Sequence, residues 1–422
     1  GVTQLDYLDL YKKFTYKAQE SYRLDHIANV ELGQKKLDHS EFDTFKDFYT
    51  GNWQKFVEYN IKDVELVDRL EDKMKLIELA LTMAYDAKVN FTDVFYQVRM
   101  WDAIIYNYLK KKNIVIPPKV GAKKDEKYAG AYVKEPIPGS YDWVVSFDLN
   151  SLYPHLIMQY NISPETLMDE PHPRCSVDKI LSGSFIADGR YATAANGAMY
   201  RKDKRGFLPE LMDKIYQERT IYKKRMLTAS QKIENLSDGE WHLKSDLEKE
   251  VSRCNNIQMA RKIQLNSAYG AIGNQYFRYY KLANAEAITL SGQVSIRWIE
   301  NRMNKYLNKV LKTEGKDYVI ASDTDSIYLN MGPLVESVYT GREKTTESIV
   351  TFLNKVCEME LEKYIDGCYQ TLADYVNAYD QKMQMKRENI AERGIWTAKK
   401  RYILNVWDSE GVRYDEPKLK MM

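Results

Sequence analysis

An α+β chain of several folding units is what the sequence predicts. Three observations predict it: long stretches of helical apolar period, short β-branched and aromatic runs bounded by glycine and proline, and a length of 422 residues, enough for two to four units and a sizeable core. Residues 56–84 carry apolar positions Val57, Ile61, Val64, Val67, Leu70 and Met74 and read as one long helix. A further helix near 93–112 ends before Pro117-Pro118, and the polar run from Gly121 to Lys127 sets a boundary near 118–127. Strand-like Tyr132-Val133 and Trp143–Phe147 follow, punctuated by Pro136, Pro138 and Gly139, and open a mixed sheet. From Pro209, a residue suited to a first helical turn, a helix runs to about Lys232. Asn235–Gly239 breaks it, and a second helix from about Glu240 to Gly270 completes an αα-hairpin. Residues 271–312 read as mainly helical, 317–330 as a strand pair, 346–378 as helical again, and the last forty residues as strands and turns. There is no internal repeat and no low-complexity tract.

Composition narrows the class. With 44% hydrophobic and 29% charged residues the chain reads as soluble and globular, and a net charge of +2 announces neither nucleic acid nor membrane for the chain as a whole. Cys175, Cys254, Cys357 and Cys368 show no metal spacing, which suits buried free thiols in a reducing, cytoplasmic setting. No apolar span approaches the roughly 20 residues of a membrane helix. The chain opens Gly1-Val2 and stops at Lys420-Met-Met, so both ends read as cut from something longer.

The chemistry concentrates in a few segments. Asp323-Thr-Asp325-Ser326 sets two carboxylates on alternate residues, entered by Tyr318–Ser322 and left by Ile327-Tyr-Leu; on a strand, residues i and i+2 share a face, so both aim at one spot that wants a divalent cation. Taken alone, such a pair is also a solvated turn or the metal motif of sugar-nucleotide transferases. Strand Trp143–Phe147 delivers Asp148 at its end, with Pro154 stopping the strand, and alone this aspartate reads first as a turn cap. Aspartates from separate strands that bridge two metals are the apparatus for in-line displacement at phosphorus. In the hairpin, Arg219 and Lys223 share one helix face, and Gln258, Lys262, Asn266 and Tyr269 share another. Those faces suit a triphosphate or, more blandly, solvent. Lys382–Arg401 is basic and interleaved with Trp396, Tyr402 and Trp407, a composition that fits a nucleic-acid backbone or a surface hairpin.

Taken in order, Asp148-Leu-Asn-Ser-Leu-Tyr-Pro154, Lys262-x-x-x-Asn266-Ser-x-Tyr269-Gly270, Asp323-Thr-Asp325-Ser326 and Ala398-Lys-Lys-Arg-Tyr402 resemble motifs A, B, C and the KKRY element of family B DNA polymerases. Asn161–Thr166, Val133–Pro138, Asn405–Asp408 and Glu416–Lys420 add a likeness to the replicative enzymes of T-even-like tailed bacteriophages. The resemblance implies an α+β multidomain fold: the remainder of an RNase H-like 3′–5′ exonuclease domain over 1–75, a helical connection over 76–122, an antiparallel palm sheet with helices over 123–205 and 274–422, and an αα-hairpin fingers over 206–273, with the thumb absent. It implies two Mg²⁺ ions, with Mn²⁺ able to substitute, on Asp148 and Asp325, with Asp323 beside them and Glu388 as an auxiliary carboxylate. Arg219, Lys223, Lys262, Asn266 and the amides of Ser151 and Leu152 would bind dNTP, and Tyr153 would exclude a 2′-hydroxyl. Tyr269, Gly270, Lys399, Lys400, Arg401 and Tyr402 would contact primer-template DNA, as would Tyr128 and Gly130 in a YxGG-like element.

Tyr59-x-x-x-Asp63 resembles the third exonuclease motif, but the first two have no match in this chain, so proofreading is expected to be absent. His155, Asn150 and Lys386 depart from the family pattern without removing a principal ligand. The sequence thus implies a DNA-templated polymerase core acting in the cytoplasm of an infected bacterium, with a sliding clamp and replication proteins as partners. The alternative is a non-catalytic piece, or one subunit of a split polymerase that needs a companion subunit.

Overall fold

The computed structural model describes residues 2–421 except 16–17, 120–127, 237–242 and 342–344. In chain order the helices are α1 (Tyr7–Phe14), α2 (Leu24–Leu32), α3 (Phe45–Gly51), α4 (Trp53–Met74), α5 (Leu76–Ala87) and α6 (Gln97–Lys111). Strand β1 (Gly139–Leu149) leads to α7 (Leu152–Tyr160), α8 (Val177–Leu181) and a small ribbon of β2 (Tyr191–Thr193) with β3 (Met199–Arg201). Then come α9 (Phe207–Glu234), α10 (Lys244–Ile272), α11 (Leu282–Leu311), β4 (Val319–Asp323), β5 (Ser326–Asn330) and α12 (Gly332–Tyr339). The chain closes with α13 (Thr346–Val356), a π-helical turn Cys357–Leu361, α14 (Glu362–Tyr375), β6 (Met385–Ala398), β7 (Arg401–Ser409) and β8 (Val412–Met421).

Two compact units divide these elements, one of Gly1–Pro118 with Tyr216–Gln264 and one of Lys119–Ile215 with Leu265–Met422. In the first, the expected single helix over 56–84 is two. Asn52 caps α4 by accepting from the Lys55 amide, and Lys75, left-handed at φ 55°, ends it before α5 begins. A left-handed lysine carries no glycine signal, so the apolar period ran through the break. The expected stripe also divides: Tyr59, Leu66 and Leu70 are buried, whereas Val57, Ile61 and Val64 are 37, 54 and 70% exposed. The outer parts of α9 and α10 pack on α5, where the Arg261 guanidinium meets both Asp86 and Glu218. The expected start of the second hairpin helix at Glu240 lies outside the described residues.

The second unit is built on a six-stranded sheet in the order β4-β5-β1-β6-β7-β8. Every pairing between its strands is antiparallel, not mixed, because β4–β5, β6–β7 and β7–β8 are successive hairpins and β1 lies antiparallel to both β5 and β6. β1 is central: Val144, Val145 and Phe147 are buried by neighbours on both sides. Val144, Tyr328, Trp396, Tyr402 and Leu404 form a core cluster on one face. Tyr132-Val133 contributes only an isolated bridge, Val133 to Asp323. The strand before α7 is stopped not by Pro154 but by Ser151, left-handed at φ 46°, and Pro154 sits inside the first turn of the helix, where its missing N–H costs nothing. Cys254, Cys357 and Cys368 are buried free thiols and Cys175 is half-buried. Among the described residues no helix is long and apolar enough to cross a membrane.

Candidate active site

Asp148 lies near the end of β1, in register with Ser326, and the Leu149 amide donates to the Asp325 carbonyl at 2.8 Å. The β4–β5 hairpin is therefore laid directly across the end of β1. Its geometry corrects the alternate-residue argument: Asp323 ends β4 opposite Ser326, Thr324 is left-handed at φ 54°, and Asp325 stands in the two-residue turn. The two carboxylates are separated by a turn, not carried on one extended face. Asp325 faces Asp148, and Asp323 turns to Lys400, 3.0 Å away.

The charges follow that division. Burial, then the Asp325 and Glu388 carboxylates, push Asp148 up to about 8. Burial, with Asp323 and Glu388 behind it, pushes Asp325 up to about 6 against the pull of its own backbone amide. Neither makes an ion pair among the described residues, while Glu388 is held by Lys420 at 2.7 Å and by the Ser146 hydroxyl at 3.3 Å. Two half-buried, mutually repelling carboxylates without an ion pair among the described residues fit a divalent cation, whose charge removes the repulsion. No three His, Cys, Asp or Glu side chains among the described residues form a ready ligand group, so Asp148 and Asp325 are the pair that the fit rests on. Lys386, the departure noted in the sequence, is paired with Glu362 of α14 at 2.7 Å.

The N-terminus of α7 adjoins this pair. Ser151 makes no side-chain cap, so first-turn amides of α7 stay available for an anion. Tyr153 packs against Tyr269, the rings tilted with centroids 4.7 Å apart, and Asp325 helps burial raise its phenol. The Tyr269 hydroxyl meets that of Tyr128 at 2.9 Å, and Gln293 donates to the Gly130 carbonyl at 2.6 Å. Gly270 is exposed, and α10 continues two residues beyond it to Ile272. The glycine that the arrangement needs is Gly273, where a Cβ would stand 2.9 Å from the Tyr128 hydroxyl. Sequence reasoning missed it because the expected motif stopped at Gly270.

At the β6–β7 turn, Lys400 is left-handed at φ 57°, and Lys399 pairs with Glu135 at 3.0 Å. Arg401 is exposed, but Tyr402 is a core residue: its hydroxyl meets that of Tyr328 at 2.9 Å and its ring stacks on Trp396. It anchors the turn from beneath.

In the other unit, Arg219 on α9 is half-buried, its Nε has no hydrogen-bond partner, and burial lowers its hold on its proton. Lys223 is exposed one turn on, and Lys262 is half-buried on α10; Asn266, where α10 continues in the sheet-bearing unit, is exposed. Tyr59 and Asp63 do share a face of α4, yet a cation is already there: Lys36 pairs with Asp63 at 2.7 Å and stands 4.5 Å from the Tyr59 ring centroid. Lys36 carries no sequence signal, being distant along the chain.

Comparison with known proteins gives the family. A family model described as DNA polymerase family B matches residues 96–420. The DNA-directed DNA polymerase of Escherichia phage RB69 is 38% identical across all of this chain and 51% of its own length, and that of Enterobacteria phage T4 is 36% identical over the same shares. DNA polymerase 1 of Sulfolobus acidocaldarius is 26% identical over 87% of the chain and 39% of the relative. The chain spans about half the length of the two phage relatives.

Proposed function

The chain belongs to DNA polymerase family B, and on that footing we propose that it is the core of a DNA-templated DNA polymerase, adding dNMP from dNTP to a primer 3′ end in phage replication. One observation carries the reading: Asp148, on β1, and Asp325, in the adjoining β4–β5 turn, are half-buried beside each other with no ion pair among the described residues, while neighbouring carboxylates have theirs. In this reading residues 123–205 and 274–422 form the palm, 206–273 the fingers, 1–75 the remainder of an exonuclease domain, and 76–122 the connection. Two Mg²⁺ ions would supply activation of the attacking hydroxyl and charge for the leaving pyrophosphate. The protein's part is positioning and charge, with no covalent intermediate.

Each side chain then has a task. Asp148 and Asp325 would hold the cations, and Asp323, tied to Lys400, shapes the turn. The free amides of Ser151 and Leu152 bind phosphate oxygens at the start of α7. Arg219, Lys223 and Lys262 would supply cationic groups suited to a triphosphate from their own unit, and Asn266 a polar one from the sheet-bearing unit; among the described residues the Arg219 Nε has no hydrogen-bond partner. The Tyr153 ring, backed by Tyr269, closes the space beside the 2′ position of the sugar. Tyr128, Gly130, Tyr269, Gly270, Lys399, Lys400 and Arg401 face primer-template DNA, with Tyr402 fixing their turn.

Primer extension with Mg²⁺ and all four dNTPs tests the reading. Extension by the 422-residue chain is expected to be weak alone and to vanish in Asp148→Asn and Asp325→Asn. Extension that survives either substitution sinks the assignment. The span of about half the phage relatives supports a second reading, a subunit of a split enzyme whose companion brings further DNA contacts, clamp binding included. Activity that appears only when a polypeptide carrying the rest of a phage relative is added favours it.

A further inference from the structure

Glu388 was expected from the sequence as an auxiliary metal ligand, but both of its carboxylate oxygens are engaged by this chain. Oε1 accepts from the Lys420 ammonium at 2.7 Å, and Oε2 accepts from the Ser146 hydroxyl at 3.3 Å. Ser146 is itself buried and held by Asn389, whose backbone and side-chain amides both donate to its hydroxyl, at 3.1 and 3.0 Å. The Glu388 side chain is therefore fixed at both ends by neighbours that do not depend on a ligand. Lys420 closes the Pro417-Lys-Leu-Lys420 phrase that the sequence singled out, and no task in polymer synthesis has absorbed it.

We infer that Lys420 is a positioning residue that acts as a built-in counter-ion, keeping Glu388 out of the divalent-cation ligand set and leaving Asp148 and Asp325 as the carboxylates that a cation meets. The physical ground is competition. A carboxylate that already has an ammonium within hydrogen-bond distance must break that contact to ligate a metal, and the ammonium's own charge repels a second cation from the same corner. With its lysine in place the negative charge that Glu388 lends the site is offset in part; without it, a third carboxylate opens toward the cation. The inference rests on the polymerase reading for the identity of the site, but its test does not depend on synthesis.

The test is Mn²⁺ binding to the 422-residue chain, read by electron paramagnetic resonance of free Mn²⁺, with thermal melting to verify folding. Glu388→Gln, which leaves the Lys420 ammonium unpaired, is expected to weaken Mn²⁺ binding by at most about tenfold and by far less than Asp148→Asn, whereas Lys420→Met tightens it about tenfold, the size of one removed repulsive charge at the edge of a half-buried site. Lys420→Arg, which keeps the charge, restores wild-type affinity, and Lys420→Met with Glu388→Gln also returns to it. A merely structural lysine would shift the melting temperature without this pattern, and Lys420→Gln repeats the measurement should the methionine variant fail to fold. The inference is overturned if Glu388→Gln weakens binding as much as Asp148→Asn does, if Lys420→Met leaves affinity unchanged, or if neither the wild type nor Lys420→Met binds Mn²⁺. Failure here with extension still abolished by Asp148→Asn overturns the role of Lys420 alone, whereas extension that survives Asp148→Asn overturns the polymerase reading.

Discussion

The Asp148–Asp325 pair, expected from the sequence resemblance as a metal site, and the Tyr59–Asp63 pair, expected as the remnant of an exonuclease motif, are treated by the structure in opposite ways. At the end of β1 two half-buried carboxylates lie beside each other with no ion pair among the described residues, and each holds its proton above the usual carboxylate range. On α4 the single carboxylate already has Lys36 beside it. An acidic motif marks a cation site only where the chain itself withholds the counter-ion. Where a lysine is supplied, the same residues make a local ion pair that the protein needs for itself.

Substitutions at the two sites separate them most widely in extension. Asp148→Asn or Asp325→Asn should lower it by on the order of a thousandfold or more, since two-metal chemistry loses its anchor, while Asp63→Asn leaves it within about twofold. A comparable loss in Asp63→Asn would break the contrast.

Stability against pH separates them next. Asp148 and Asp325 have folded-state values raised from the ordinary 3.8 to about 8 and about 6, so the folded chain binds more protons than the unfolded one between those limits. The pair's contribution to the stability of the metal-free chain should therefore be greatest below about pH 4 and fall as pH rises toward 8. Asp148→Asn should flatten that fall and stabilise the chain at pH 8 by about 2 kcal/mol. At Lys36 burial works against the charge, but hydrogen bonds to Asp63 and Tyr59 outweigh it and hold the ammonium above its usual value. Its contribution is present below about pH 10.5 and is lost only as pH climbs past that. Urea denaturation across pH 4–8, in wild type and Asp148→Asn, checks the first slope; a flat wild-type profile would remove the claim that the pair is uncompensated.

The smallest effect is at Lys36 itself. Lys36→Met leaves Asp63 partly buried without a counter-ion and should cost about 1 kcal/mol, recovered when Asp63→Asn is added. If the double variant recovers nothing, Lys36 and Asp63 do not act as a pair.

Much of the site was legible in sequence because its residues break a local pattern. Asp148 interrupts an apolar strand, and Lys262, Asn266 and Tyr269 keep a polar face at helical spacing. What escaped was either masked locally or distant. The left-handed Lys75 ended α4 without glycine, and the left-handed Thr324 turned Asp323 away from Asp325, where alternation predicted a shared face. Lys420 lies 32 residues from Glu388, and nothing in either segment points to the other.

By itself, then, the sequence determined the order of the chemical motifs, the α+β character and the residue types able to meet a cation, a triphosphate and a nucleic acid, because periodicity and strand ends are properties of neighbouring residues. Only the tertiary structure decided which acids stand alone. Lys400 neutralises Asp323, Lys420 neutralises Glu388 and Lys36 neutralises Asp63, while Asp148 and Asp325 are left to each other. Ion pairing depends on distances of a few ångströms between segments far apart in the chain, and those distances exist only once the sheet and helices have packed.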